Sequence, residues 1–232
     1  MIRESLILYE DNHLLVYNKQ PGDIVQGDKT GDEPLSEQVK QYIKRKYKKP
    51  GNVFLGVVHR LDRPVSGTVI FARTSKALTR LNGMFKEGKM KKTYWAVVRQ
   101  EPPREAGTLV HYLTRNEKQN KSYVHDAPVP SSKKAELSYA VLGQSDRYFL
   151  LEVSLMTGRH HQIRAQLAHI GCPIRGDLKY GYPRSNPDGS IHLHARCLRF
   201  THPVKEVPVS VDAPPPDEAV WNLFSRIEIK PE

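Results

Sequence analysis

The sequence predicts an α+β fold, a largely antiparallel, mixed central β-sheet flanked by a few helices and loops. Short β-branched and aromatic runs outnumber the helical periodicities, and the two do not alternate as βαβ units would. The 232 residues hold no internal repeat and no low-complexity linker, and they suit one domain spanning 1–232.

Residues 5–9 and 13–17 read as two strands, joined by the tight turn Glu10-Asp11-Asn12. Residues 18–23, with Pro21-Gly22, are a loop. A helix starts near Pro34 and puts Leu35, Val39, Tyr42 and Ile43 on one face. Its basic end, 44–49, either complements the helix C-terminus or meets phosphate. Residues 69–72 form a strand. Ser75 is the expected N-cap of a second helix, with Ala77, Leu78, Leu81, Met84 and Phe85 as its apolar stripe and Gly88 as its stop. A strand follows at 93–98. The polar segment 101–132 reads as a hairpin excursion around 109–112. Strands at 134–142 and 148–156 lead to a helix over 160–170, which Gly171 stops. After a loop at 173–189 come a last strand at 193–200, a proline-rich stretch at 208–216, and a short helix through Trp221 and Phe224.

Lysine and arginine number 36 against 25 acids, a formal charge of +11 that points to a polyanionic partner. A membrane partner would call for an amphipathic anchor, a lipidation signal or an apolar span, and the sequence offers none. Two cysteines imply no disulfide framework, and the first residues lack a signal-peptide layout, so the expected compartment is the reducing cytoplasm. Nucleic acid is the expected partner.

Two stretches carry candidate chemistry. In the first, 58–68, the carboxylate of Asp62 lies between Arg60 and Arg63, on a loop forced by Pro64 and Gly67 and leading into a strand. A carboxylate among cations weakens the hold on a polyanion unless it has another task, so Asp62 suits chemistry better than binding. From Arg73 to Lys92 there are seven basic residues against one acid, Glu87. The second stretch, 157–171, sets Arg164 beside the apolar face of its helix, where a guanidinium needs a carboxylate partner. Asp62 is one candidate; Asp177 and Glu152 are the alternatives. Pairing with Arg164 would keep Asp62 ionised, as a nucleophile requires. Tyr94, on the strand after the basic segment, is either a packed core residue or an aromatic that stacks on a base. His192, His194 and Cys197, with His169 and Cys172 upstream, fit no zinc-finger spacing, so no metal is expected. The sequence also lacks a P-loop and the G-x-G-x-x-G and G-x-S-x-G motifs, so no nucleotide cofactor is expected.

His59-Arg60-Leu61-Asp62, with Ser66-Gly67 four residues on, resembles the first signature of RluA-type RNA pseudouridine synthases. Gly158 to Arg164, then Gly171-x-Pro173-Ile174-x-Gly176-Asp177, resembles their second. Lys92-x-Tyr94-x-Ala96-x-Val98, Leu193-His194-Ala195 and the stretch from Tyr9 to Lys19 fall in the family's order. Val65 in place of threonine, Gln166 in place of histidine and Gln20 inserted before Pro21 depart from the pattern and leave the subgroup open. The resemblance covers about residues 5–225 and implies a catalytic domain without a preceding S4-like module. It implies isomerisation of a uridine in ribosomal or transfer RNA, with no cofactor; a monomer is the expected state. Asp62 would be the nucleophile, Tyr94 would lie against the base, and Arg164 would pair with Asp62. Arg60 would fill the space left by the flipped nucleotide. Lys19, His59, Arg63, Arg159, His160, Lys89, Lys91 and Lys92 are the further expected RNA contacts.

Overall fold

The computed structural model describes residues 2–27 and 31–225. In chain order the elements are β1 (Ile7–Glu10), β2 (Leu14–Lys19), α1 (Leu35–Lys46), β3 (Gly56–Val57), β4 (Ser66–Ala72), α2 (Ser75–Lys86) and β5 (Lys91–Val98). They continue with β6 (Ala106–Asn116), β7 (Lys121–His125), β8 (Lys133–Gln144), β9 (Phe149–Leu155), α3 (Gln162–His169), β10 (Leu193–Thr201), β11 (Pro208–Asp212) and α4 (Ala219–Asn222). All the strand pairs whose direction is resolved are antiparallel. The chain divides into two compact units, Met1–Lys92 with Ala195–Pro214, and Thr93–His194 with Pro215–Glu232. Among the described residues no helix is long and apolar enough to cross a membrane.

In the first unit the strands run β1-β2-β4-β10, with β3 on β4 and β11 on β10. Every residue of β4 is buried, as expected of a strand covered on both faces. Leu14, Val16, Ile70 and Ala72 pack with Ala77 and Leu81 of α2 and with Leu198, Phe200 and Val211. Pro34 is the N-cap of α1, with extended backbone, and Leu35, Val39, Tyr42 and Ile43 are the buried face. Thr74, one residue before the expected cap, closes the start of α2 by accepting from the Ala77 N–H at 3.2 Å. The basic end of α1 is partly committed: Glu10 accepts from Lys46 at 2.7 Å, Tyr47 at 2.8 Å, Tyr42 at 2.9 Å and Arg73 at 3.1 Å.

In the second unit the strands run β5-β9-β8-β6-β7. Trp95, Val97 and Leu150 pack against Val220, Trp221 and Phe224, so α4 covers β5 and β9. Leu113 and Ala135 pack against Ala165 of α3 and Tyr180. The segment 101–132 turns at 117–120 rather than around 109–112, because β6 extends through Asn116 and pairs with both β7 and β8. Its exposed, alternating side chains hide the strand from an apolar-run criterion. Within the first unit, the proline-rich 208–216 contains β11, which pairs with β10 and has proline only at its first residue, where a missing N–H is tolerated.

Candidate active site

The Asp62 loop is built by contacts within the first unit. The Val65 N–H donates to the Asp62 carbonyl at 3.0 Å and closes a turn over Arg63-Pro64. Lys19, at the end of β2, is fully buried. Its ammonium donates to the carbonyls of Val65 at 2.6 Å, Gln20 at 3.0 Å and Arg63 at 3.1 Å. The Gly22 N–H also donates to the Arg63 carbonyl, at 2.9 Å. The turn that carries Asp62 is therefore clamped from below by a cation with all three donors occupied. Burial pushes the Lys19 pKa down to about 8, against the opposing pull of Asp23 and Asp62. Lys19 was expected to touch RNA; with no exposed surface, it positions the loop instead. Asp62 itself is half-buried.

The loop enters β4 at Gly67, whose φ of +114° is closed to other residues at little cost. A Cβ there would overlap the backbone of Ala195 on β10. Gly67→Ala should cost roughly 3 kcal/mol or more through strain and overlap together. Urea unfolding checks this, and a wild-type midpoint would contradict the close approach.

His59 was also expected at the RNA. Its Nε2 accepts from the Ile70 N–H at 3.1 Å, and its ring stacks on Phe85 at 5.0 Å between centroids. Burial, helped by the charge of Lys92, pushes its pKa from 6.5 down to about 3. Between those values the unfolded chain binds the extra proton, so stability is full above pH 6.5 and falls as the pH drops towards 3. Acidification from about pH 7.5 to about 5 should cost roughly 2 kcal/mol more in the wild type than in His59→Gln. Urea titrations at the two pH values test this, and equal pH dependence in the two proteins would contradict it.

Arg60 is exposed; Arg63 is exposed and pairs with Asp32 at 2.8 Å. Lys89 and Lys91 are exposed, with Lys89 on Glu87 at 2.6 Å. Lys92 is half-buried, its ammonium 5.4 Å from the centroid of Phe85, and burial lowers its pKa.

In the second unit, Tyr94 lies on β5 opposite Val153 and is 8% exposed. Arg164 is buried on α3 and gives two parallel hydrogen bonds to Asp177, from Nε at 2.7 Å and from Nη2 at 2.9 Å. Of the partners weighed from sequence, Asp177 is thus engaged, through two of the guanidinium's five N–H groups. The Arg164 guanidinium also lies 5.2 Å over the Tyr180 ring. The Tyr180 hydroxyl accepts from the Ser122 N–H at 2.9 Å and meets His161 Nδ1 at 2.9 Å. His161 caps α3 with a φ of 52°, so the helix starts at Gln162, two residues later than expected. His160 stacks on His161 at 3.7 Å and bonds Ser122 Oγ at 2.9 Å through Nδ1. Arg159 is exposed and its Nε donates to the Lys134 carbonyl at 2.8 Å. The roles of Tyr180 and Ser122 carry no motif, which is why the sequence did not reveal them.

Among the described residues, His111, Asp126 and His169 bring three possible metal-ligand atoms together, with His169 Nε2 at 2.8 Å from Asp126. Gln166 Nε2 meets His111 Nδ1 at 3.0 Å. Of the set weighed from sequence, His192 bonds Glu218 at 2.8 Å, and Cys172 and Cys197 are free and buried.

Residues 13–169 match the family model described as RNA pseudouridylate synthase. The chain is 33% identical over 217 residues to ribosomal large subunit pseudouridine synthase C of Vibrio vulnificus, covering 91% of this chain and 66% of that protein. It is 30% identical over 246 residues to tRNA pseudouridine synthase C of Pectobacterium carotovorum, covering 97% and 64%. The chain thus spans about two thirds of the length of these curated relatives. The solved structure of human RNA pseudouridylate synthase domain containing 4 superposes with a TM-score of 0.80 at 24% identity, over 95% of this chain and 94% of that one, and shares its fold. Most of the length is covered by one family model, and that model agrees with the fold. The chain belongs to the RNA pseudouridylate synthase family.

Proposed function

We propose that the protein isomerises a specific uridine of ribosomal or transfer RNA to pseudouridine, as one catalytic domain working as a monomer in the cytoplasm. The observation that carries this reading is the half-buried Asp62 carboxylate on a turn clamped by the buried Lys19 ammonium. Family membership and the names of the curated relatives support the substrate class. Asp62 is the nucleophile toward the ribose or the uracil ring. The bond from C1′ to N1 breaks, the base turns, and C5 joins C1′. The C5 proton leaves and N1 gains one, so the step is redox-neutral. Tyr94 lies against the base, and Arg164 keeps Asp62 ionised. The target nucleotide leaves its stack at a cost of a few kcal/mol, and Arg60 fills the gap.

Lys86, Lys89 and Lys91 hold the RNA backbone through charge alone. Lys89→Glu/Lys91→Glu should weaken RNA binding about tenfold or more and flatten its dependence on salt by a slope of about 2. Filter binding across a salt series reads both; an unchanged slope removes the segment from the interface. The reading as a whole is tested by mapping pseudouridines in ribosomal and transfer RNA from cells with and without the protein. One or a few sites should vanish with it. An unchanged map overturns the reading.

A further inference from the structure

Beyond the residues given roles above, the second unit contains a cavity of about 510 Å³ lined by Arg99, Arg175, Arg184, Tyr148, Tyr182 and Asn186, together with Pro183 and Ser185. Its volume suits a small-molecule site. Arg99 directly follows β5, and Tyr94 lies five residues back along the chain, ~16 Å for an extended strand.

The lining carries three guanidinium groups and no carboxylate. Arg175 is held by neutral partners. Its Nη1 donates to Asn186 Oδ1 at 2.8 Å, its Nε donates to the Tyr148 hydroxyl at 3.3 Å, and its plane lies 5.5 Å from the Tyr148 ring centroid. Asn186, 7% exposed, is fixed in turn by donating to Ser190 Oγ at 3.1 Å and His192 Nδ1 at 3.0 Å. Glu218 and Asp188, which join this network through His192 and Ser190, are committed to other partners. Glu218 accepts from His192 at 2.8 Å and caps α4 through the Val220 N–H at 3.2 Å. Asp188 accepts from the Ser190 hydroxyl at 2.6 Å and N–H at 3.0 Å. Among the described residues, Arg99, Arg175 and Arg184 form no ion pair.

Three uncompensated guanidinium groups around one cavity repel one another until an anion enters. The planar fork of arginine matches the oxygens of a phosphate, and tyrosine rings beside it offer a face to a base. We propose that this cavity binds the phosphate of a nucleotide, with Arg175 as the fixed anchor and Arg99 and Arg184 closing from the exposed side. The nucleotide is either free or part of an RNA strand.

The test compares the full chain with Arg99→Gln/Arg184→Gln, both positions exposed, and with the charge-matched control Lys118→Gln/Lys133→Gln, which lies outside the cavity. The probes are uridine diphosphate, titrated by calorimetry, and a fluorescein-labelled RNA dodecamer, titrated by anisotropy. The arginine variant should bind at least one probe about tenfold more weakly than the control does. A loss for uridine diphosphate marks a free-nucleotide site, and a loss for RNA alone marks a strand phosphate. Control-like affinity for both probes overturns the proposal.

Discussion

Asp62→Asn should reduce pseudouridine formation by at least about 10⁴-fold while RNA affinity stays within about twofold of wild type. The substitution keeps the shape but replaces one acceptor oxygen by an NH2 donor and removes the negative charge that makes the carboxylate nucleophilic. It leaves the turn intact, because the clamp on that turn is made by backbone groups: the carbonyls of Arg63 and Val65 on Lys19, and the Val65 N–H on the Asp62 carbonyl. Restoring the variant to cells that lack the protein should leave the missing pseudouridines missing. A variant that restores them removes the nucleophile assignment.

Asp177→Ala should destabilise the protein by about 3–5 kcal/mol, because it takes the bidentate carboxylate away from a buried guanidinium. Arg164 is 5% and Asp177 1% exposed, so water cannot take the place of the lost carboxylate. Urea unfolding reads the loss, and a change below about 1 kcal/mol would show that the pair is hydrated after all. The double substitution Arg164→Met/Asp177→Leu separates stability from chemistry. Replacing a buried pair by apolar side chains of similar size is often neutral. A double variant that folds as well as wild type yet forms no pseudouridine places Arg164 in the reaction, and one that remains active confines it to the fold.

The core elements were legible because their signals are local. The apolar run of β4, the face of α1 with Leu35, Val39, Tyr42 and Ile43, and the stop at Gly171 follow from periodicity and backbone chemistry. β6 and β11 were not legible, since one strand is polar and half-exposed and the other follows a proline-rich pattern; their partners make them strands. The loop bearing Asp62 was legible from Pro64 and Gly67. The clamp under it was not, because burial of Lys19 is decided by the pairing of β2 with β4, which sets Lys19 opposite Gly67. Lys19, which the family resemblance sends to the RNA, is accordingly buried under the turn, and the part-buried His59 accepts from the Ile70 N–H and stacks on Phe85. The Asp177 partner of Arg164 was one of three acids weighed from sequence, and only the turn after α3 brings it to bidentate distance.

In the proposed reaction the clamped Asp62 carboxylate attacks a uridine and frees its base to rebond through C5. Release of tritium from RNA labelled at uridine C5 measures that event directly, since the C5 hydrogen must leave when C5 joins the ribose. The wild type should release tritium stoichiometrically at the modified uridine, and Asp62→Asn should release none at saturating RNA. Release by the Asn variant at the wild-type rate would contradict this mechanism.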